Sequence, residues 1–137
     1  VADWVAKRIK HETGFGECQA MGIEHQGKLV AGLVFHNWEP EAGLIEISAA
    51  AKNRGWMTRE IINAAMKYAF DVAGSQMVVA RIEKTNAPAV RIWRALGSVE
   101  HVISRFYGRN RDGCLFTLTD DAWAKSKLNE VNYGQKI

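Results

Sequence analysis

Three cations, Lys52, Arg54 and Arg59, crowd one short stretch of the chain, with Gly55 among them. They stand where an apolar run, Ile45-Glu46-Ile47-Ser48-Ala49, gives way to a long amphipathic pattern from Arg59 to Ala73. Residue types in this order predict a strand, a tight basic turn and a helix. Such a turn presents backbone N–H groups without partners at the positive end of a helix dipole, and together these attract anions. A glycine there admits a ligand where a Cβ would obstruct it. The chemistry implied is binding of a phosphate-bearing ligand at the turn. The same residues also suit an ordinary solvated turn before a helix, so the surrounding elements must decide.

Upstream, Val1, Trp4, Val5 and Ile9 recur at helical spacing against Asp3, Lys7, Arg8 and Lys10, which predicts an amphipathic helix over Ala2 to Lys10. Gly14-Phe15-Gly16 breaks it. Cys18 to Ile23 and Leu29 to His36 read as an antiparallel hairpin about the turn His25-Gln26-Gly27-Lys28. Asn37 to Gly43, with Pro40, forms the next turn, and Leu44 to Ala49 a third strand. In the long helix, Ile61, Ala65 and Ala69 fall on one line and Ile62, Met66 and Phe70 on its neighbour, a face that must cover a sheet. Gly74 stops it. Met77 to Ala80 shows no alternation, as in a strand buried on both faces. Strand, helix and buried strand imply a parallel pair joined by a right-handed crossover.

Asn86 or Ala87 then caps a second helix whose first turn holds Pro88. Val90, Trp93 and Leu96 face inward, Arg91 and Arg94 do not, and Gly97 closes it. Val99 to Tyr107 reads as a strand, Gly108 to Gly113 as a basic turn, and Cys114 to Leu118 as a closing strand. Thr119-Asp120-Asp121 caps a last helix to about Leu128, and Asn129 to Ile137 reads as a tail. No repeat, low-complexity segment or boundary interrupts residues 1–137, which are expected to form one domain of mixed α/β class.

Composition narrows the function. The chain has 137 residues, enough for one hydrophobic core, with 47% hydrophobic and 24% charged residues, as in ordinary globular proteins. A net charge of +3 tolerates an anionic ligand but is too small to argue for nucleic acid. No apolar run has the length of a membrane span, and Val1 to His11 does not read as a signal peptide. Cys18 and Cys114 are far apart in sequence and read as free thiols of a reducing cytoplasm. His11, His25, His36 and His101 lack ligand spacing, so no metal site is expected.

The order of elements, with Lys52-Asn53-Arg54-Gly55-Trp56-Met57-Thr58 and the later Asn86-Ala87-Pro88-Ala89-Val90-Arg91-Ile92-Trp93-Arg94-Ala95-Leu96-Gly97, resembles the GNAT superfamily of acyl-CoA N-acyltransferases. Within it, the chain looks most like the branch of ribosomal-protein N-terminal acetyltransferases and small phage or prophage homologues. The family's pyrophosphate loop is Gln/Arg-x-x-Gly-x-Gly/Ala; here Lys52, Gly55 and Met57 hold its first, fourth and sixth positions. The resemblance spans roughly residues 1 to 125. It implies a mostly antiparallel central sheet with a splayed parallel strand pair and helices on both faces. It also implies an acetyl-CoA site, with the pyrophosphate on the amides of Arg54 to Thr58. The pantetheine arm would lie along Ile45 to Ala49, with Ile47, Ser48 and Ala49 against it, and Asn86 and Ala89 would meet the arm at the second helix. The reaction implied is direct attack of a neutral amine on the thioester, its oxyanion held by strand N–H groups. Three departures stand out. Met57 replaces a small residue, Lys52 offers a point charge without a fork, and Trp93 stands where many members have a tyrosine that protonates the leaving thiolate. The family's first strand is not apparent before Trp4.

On that resemblance Glu46 flanks the thioester and is the candidate base; otherwise it is an outward-facing strand carboxylate. Glu39 and Glu41 line the acceptor mouth or are solvated turn charges. Ser48 holds a water or packs. His36, at a strand end near the same mouth, is a second candidate base. Tyr107 is the candidate for the missing acid, against a half-buried strand tyrosine. Trp38 and Trp56 wall a pocket or pack. Arg105, Arg109 and Arg111 face an acidic acceptor or solvent. The leading expectation is a cytoplasmic N-acetyltransferase acting on a protein N-terminus, a lysine or a small-molecule amine, with an exposed sheet edge that suits a homodimer. Its rivals are a catalytically weak, phage-encoded coenzyme A-binding module, suggested by Met57 and Trp93, and a nucleic-acid-binding domain, suggested by the 105–111 arginines.

Overall fold

The computed structural model describes residues 1–11 and 13–133, with the backbone alone at position 54. The chain falls into two compact units, Val1–Ser75 and Gln76–Ile137. In the first, helix α1 (Ala2–Arg8) precedes strands β1 (Cys18–His25), β2 (Lys28–Glu39) and β3 (Leu44–Ala51). β2 pairs antiparallel with β1 on one side and β3 on the other. It is the longest strand, and every residue from Val30 to His36 is buried. That unbroken burial needs cover on both faces. On one face Gly32 leaves room for α1, since a Cβ there would sit 2.8 Å from Val5 Cγ2. On the other, Phe35 meets the long helix, its ring lying 4.7 Å from that of Tyr68.

The long helix starts where expected and is not uniform. Residues Arg59–Lys67 form α2, capped by the Thr58 side chain, and Tyr68–Val72 widen into a π-helical turn, with the Ala73 N–H reaching the Tyr68 carbonyl at 2.8 Å. The extra residue in that turn lets Tyr68 meet Phe35 while Ala69 stays fully buried. Ile62, Ala65 and Met66 are buried along the expected stripe.

The second unit holds β4 (Met77–Glu83), α3 (Ala87–Leu96), β5 (Val99–Gly108), β6 (Arg111–Thr119) and α4 (Asp120–Lys125). β6 pairs antiparallel with both β4 and β5. Its buried residues Cys114, Phe116 and Leu118 face Ile82, Ala80 and Val78 across the β4 pairing, and Trp93 of α3 lies over Phe116. Two expectations change here. β4 does alternate, with Val78 and Ala80 fully buried but Met77 and Val79 half-buried, so one of its faces is only partly covered. The supposed tail is ordered through Tyr133. Asn129 caps a 3-10 turn over Glu130–Asn132, the Asn132 amide donates to the Ala124 and Ser126 carbonyls, and the Tyr133 hydroxyl donates to the Leu128 carbonyl. The rest of that tail, residues 134 to 137, lies outside the described residues. No described helix is long and apolar enough to cross a membrane, and no group of three or more His, Cys, Asp or Glu among the described residues is placed to hold a metal ion.

Candidate active site

The register of β2 on β3 sets His36 directly opposite Glu46, with Ser48 one step along the same face. Both His36 and Glu46 are 5% exposed. A carboxylate so buried needs polar partners, and this one has them. Asn37 Nδ2 donates to Glu46 Oε1 at 3.0 Å, and His36 Nε2 lies 3.9 Å from Oε2. The same His36 nitrogen is 2.9 Å from Ser48 Oγ. The Phe15 ring closes over His36 at 4.7 Å, and His11 stacks on Phe15 in turn. Glu46 is therefore not an outward-facing strand carboxylate. It belongs to a shielded polar cluster with His36, Asn37 and Ser48.

The cluster depends on a local departure from strand geometry. Successive side chains of a strand point to opposite faces, so residue 37 of a regular β2 would point away from Glu46. The pairing slips between His36 and Glu39, and Asn37 takes φ 52°. Asparagine is one of the few residues that tolerate this left-handed conformation. Alternation in the sequence points to neither Asn37 nor Phe15, because it does not reveal a bulge.

Along β3 the strand emerges from the core. Ile45, Glu46 and Ile47 are buried, Ser48 is half-buried and Ala49 is exposed. Beyond Ala51 the basic turn folds on itself. The Lys52 N–H donates to the Val30 carbonyl at 2.8 Å, and the Asn53 side chain accepts from the Gly55 N–H at 3.0 Å. The Asn53 carbonyl accepts from the Trp56 N–H at 3.3 Å. Gly55 has a local task here, because a Cβ would stand 3.1 Å from Asn53 Oδ1. Thr58 Oγ1 accepts from the Ile61 N–H at 3.4 Å and so uses one of the first amides of α2. Lys52, Asn53, Gly55, Thr58 and Arg59 are exposed, while Trp56 and Met57 are half-buried. The Trp56 ring turns onto His25 at the β1–β2 hairpin, 5.0 Å away. The Arg54 side chain lies outside the described residues.

The other candidates lie in the second unit. Asn86 is the α3 cap, its Oδ1 accepting from the Ala89 N–H at 3.4 Å. Trp93 is buried in the core. Tyr107 follows a slip in the β5–β6 register, edge-on to Phe106, and the two rings crowd Gly113. Of the arginine group, Arg111 makes a two-point ion pair with Glu83 and Arg109 is exposed. At Arg105, φ is 63° and the backbone N–H donates to Asp112. Among the cluster's neighbours, Glu39, Glu41 and the 42%-exposed Trp38 continue the chain past Asn37 at the β2–β3 end of the sheet.

No family model matches the chain, and no curated protein matches it significantly. Solved structures do. The spermidine/spermine N-acetyltransferase SpeG from Vibrio cholerae, in mutant forms, superposes with a TM-score of 0.70 at 16% identity, over 88% of this chain and 75% of that one. A protein from T. thermophilus, described as an acetyltransferase, gives 0.70 at 18% identity, over 87% and 68%. A dodecameric spermidine N-acetyltransferase from Vibrio cholerae, in an intermediate state, gives 0.67 at 16%, over 86% and 72%. At these identities the likeness shows the fold. The chain has the mixed α/β fold of these N-acetyltransferases, the class expected from its sequence.

Proposed function

We propose that this chain is a GNAT-type N-acetyltransferase that moves an acetyl group from acetyl-CoA to a primary amine, with residues 1–137 forming one cytoplasmic domain. The observation that carries the reading is the buried Glu46 carboxylate, tied by Asn37 and faced by His36 on the strand that leads to the basic turn. The turn's charge suits the coenzyme's diphosphate, although its Gly55 and Trp56 amides, expected to be open, are bonded to Asn53. Lys52 and Arg59 are exposed cations beside the capped N-terminus of α2. Bound acetyl-CoA supplies an acetyl group already activated as a thioester. An acceptor ammonium is not a nucleophile until it loses a proton. Glu46 is the group to take it: the acceptor's N–H bond breaks and an O–H bond forms on the carboxylate. His36 Nε2 faces the second oxygen at 3.9 Å and Ser48 Oγ at 2.9 Å, which holds the imidazole beside the base.

For the acceptor, Glu17, Glu39 and Glu41 are exposed around the β1 start and the β2–β3 turn, near an exposed Trp38. Carboxylates and an indole suit a cation, and this favours a small polyamine of the spermidine class. A protein N-terminus, the acceptor of the ribosomal-protein and phage branch, is the next class. The test is release of coenzyme A thiol from acetyl-CoA with spermidine, a lysine peptide and an N-terminal peptide as acceptors. Saturable release with spermidine at the highest kcat/KM is expected, and no release with any amine overturns the reading. A second reading, a binding module that keeps the coenzyme without turnover, draws on Trp93, buried in the core where the resemblance expects a tyrosine that protonates the leaving thiolate. Saturable coenzyme A binding without thiol release selects it.

A further inference from the structure

We propose that Asn37 is a positioning residue that fixes the Glu46 carboxylate in one orientation, Oε1 held by its amide and Oε2 turned to His36. Three observations converge on it. The bulge adds one residue to β2 where His36 pairs with Glu46 and Glu39 pairs with Leu44. Asn37 alone of that segment has a left-handed backbone, φ 52°. Its amide reaches Glu46 Oε1 at 3.0 Å although the residue itself is exposed. The consequence is that two successive residues, His36 and Asn37, address the same carboxylate from one strand, which regular pleating forbids. The hydrogen bond holds one oxygen and leaves the second aimed at the imidazole. Among the described residues, His36 on β2 is a titratable group facing it, backed by the aromatic ring of Phe15.

The inference rests on the acetyltransferase reading for the use made of Glu46, and not for the geometry. Asn37→Gly keeps the left-handed backbone and removes the amide. Asn37→Asp keeps an acceptable residue there but replaces the donor with a second carboxylate. In Asn37→Gly, kcat for amine acetylation is expected to fall roughly tenfold, with KM for acetyl-CoA unchanged, as orientation is lost. In Asn37→Asp kcat is expected to fall at least as far, because a second carboxylate repels Glu46 where the amide held it. The carbon-13 resonance of the Glu46 carboxyl at one fixed pH, without substrate, is expected to shift in both. An unmoved Glu46 carboxyl resonance in both variants overturns the proposal. So does a wild-type kcat in variants of an active enzyme. Absence of thiol release from the wild type removes the acetyltransferase reading instead, and the carboxyl resonance still decides what Asn37 holds.

Discussion

On the proposed reading Glu46 is the base, and its surroundings set what its loss should do. Glu46→Gln keeps the shape and an oxygen for the Asn37 amide but accepts no proton. It is expected to lower kcat by about 10²–10⁴-fold with little change in coenzyme A affinity, as read by steady-state kinetics beside calorimetric titration. A comparable loss of binding would mean that the residue holds the fold. The two cysteines make a second prediction at this scale. Cys114 is fully buried, and burial, then the neighbouring Glu100 carboxylate, pushes its thiol pKa up. Cys18 is half-buried on β1. A thiol reagent at pH 8 is expected to label Cys18 in the native protein and Cys114 only after denaturation. Equal labelling of both would show that the β5–β6 core opens readily. How much of the site was legible follows from the same residues. Glu46, His36 and Ser48 stand out because the resemblance sets the strand Ile45 to Ala49 beside the thioester and their types carry proton chemistry; that they meet on one face is read from the register of β2 on β3. Asn37 does not, because the turn signal from Asn37 to Gly43 hid a bulge that continues β2 to Glu39. The turn's inward bonding to Asn53 was equally hidden, since an Asn at that place reads the same whether its side chain points out or back.

At the scale of elements, the site face of β2 depends on α1 coming close. Gly32 and His36 share that face, and a Cβ on Gly32 would press into Val5, itself fully buried, and stand 3.0 Å from Val1. Gly32→Ala is expected to cost about 1–3 kcal/mol by overpacking, measured by urea denaturation. An unchanged midpoint would mean that α1 is loosely held. On α3, Arg94 grips Glu100 at the start of β5 with two hydrogen bonds. That hydrogen bonding, and less so Arg94's charge, lowers the Glu100 pKa below its unfolded value. The sign follows from the depression: the pair adds stability above the unfolded carboxylate pKa, and loses it as pH falls through the lower folded value. Arg94 is well exposed and Glu100 partly so, which keeps the contribution small. Glu100→Gln is expected to be less stable than wild type at pH 7, with the gap closing as pH falls through the lowered carboxylate value. A gap that persists in acid would assign the loss to packing. Helix starts were the best-read elements, because Thr58, Asn86 and Thr119 each cap through a side chain. The π-helical turn at Tyr68–Val72 was invisible, since its residues suit an α-helix and only the tertiary pairing of Tyr68 with Phe35 distinguishes the two.

For the whole molecule, the proposal of one domain and the proposal of a coenzyme site meet in a single measurement. A chain of 137 residues unfolding as one cooperative unit should absorb about 95 kcal/mol near 60 °C, at roughly 0.7 kcal/mol per residue. Its calorimetric and van't Hoff enthalpies should agree. Two resolved transitions would instead assign separate stabilities to Val1–Ser75 and Gln76–Ile137. A ligand that binds only the folded chain raises its stability by mass action, about 2.7 kcal/mol at a hundred times its dissociation constant. For a domain of this size that is about 8–10 °C in Tm. Coenzyme A at saturating concentration is therefore expected to raise Tm by that amount. Lys52→Ala with Arg59→Ala should remove most of the rise at low salt, because both cations flank the capped start of α2. A Tm that ignores coenzyme A would leave the basic turn as solvated surface, and the acetyltransferase fold would then serve some other chemistry at Glu46.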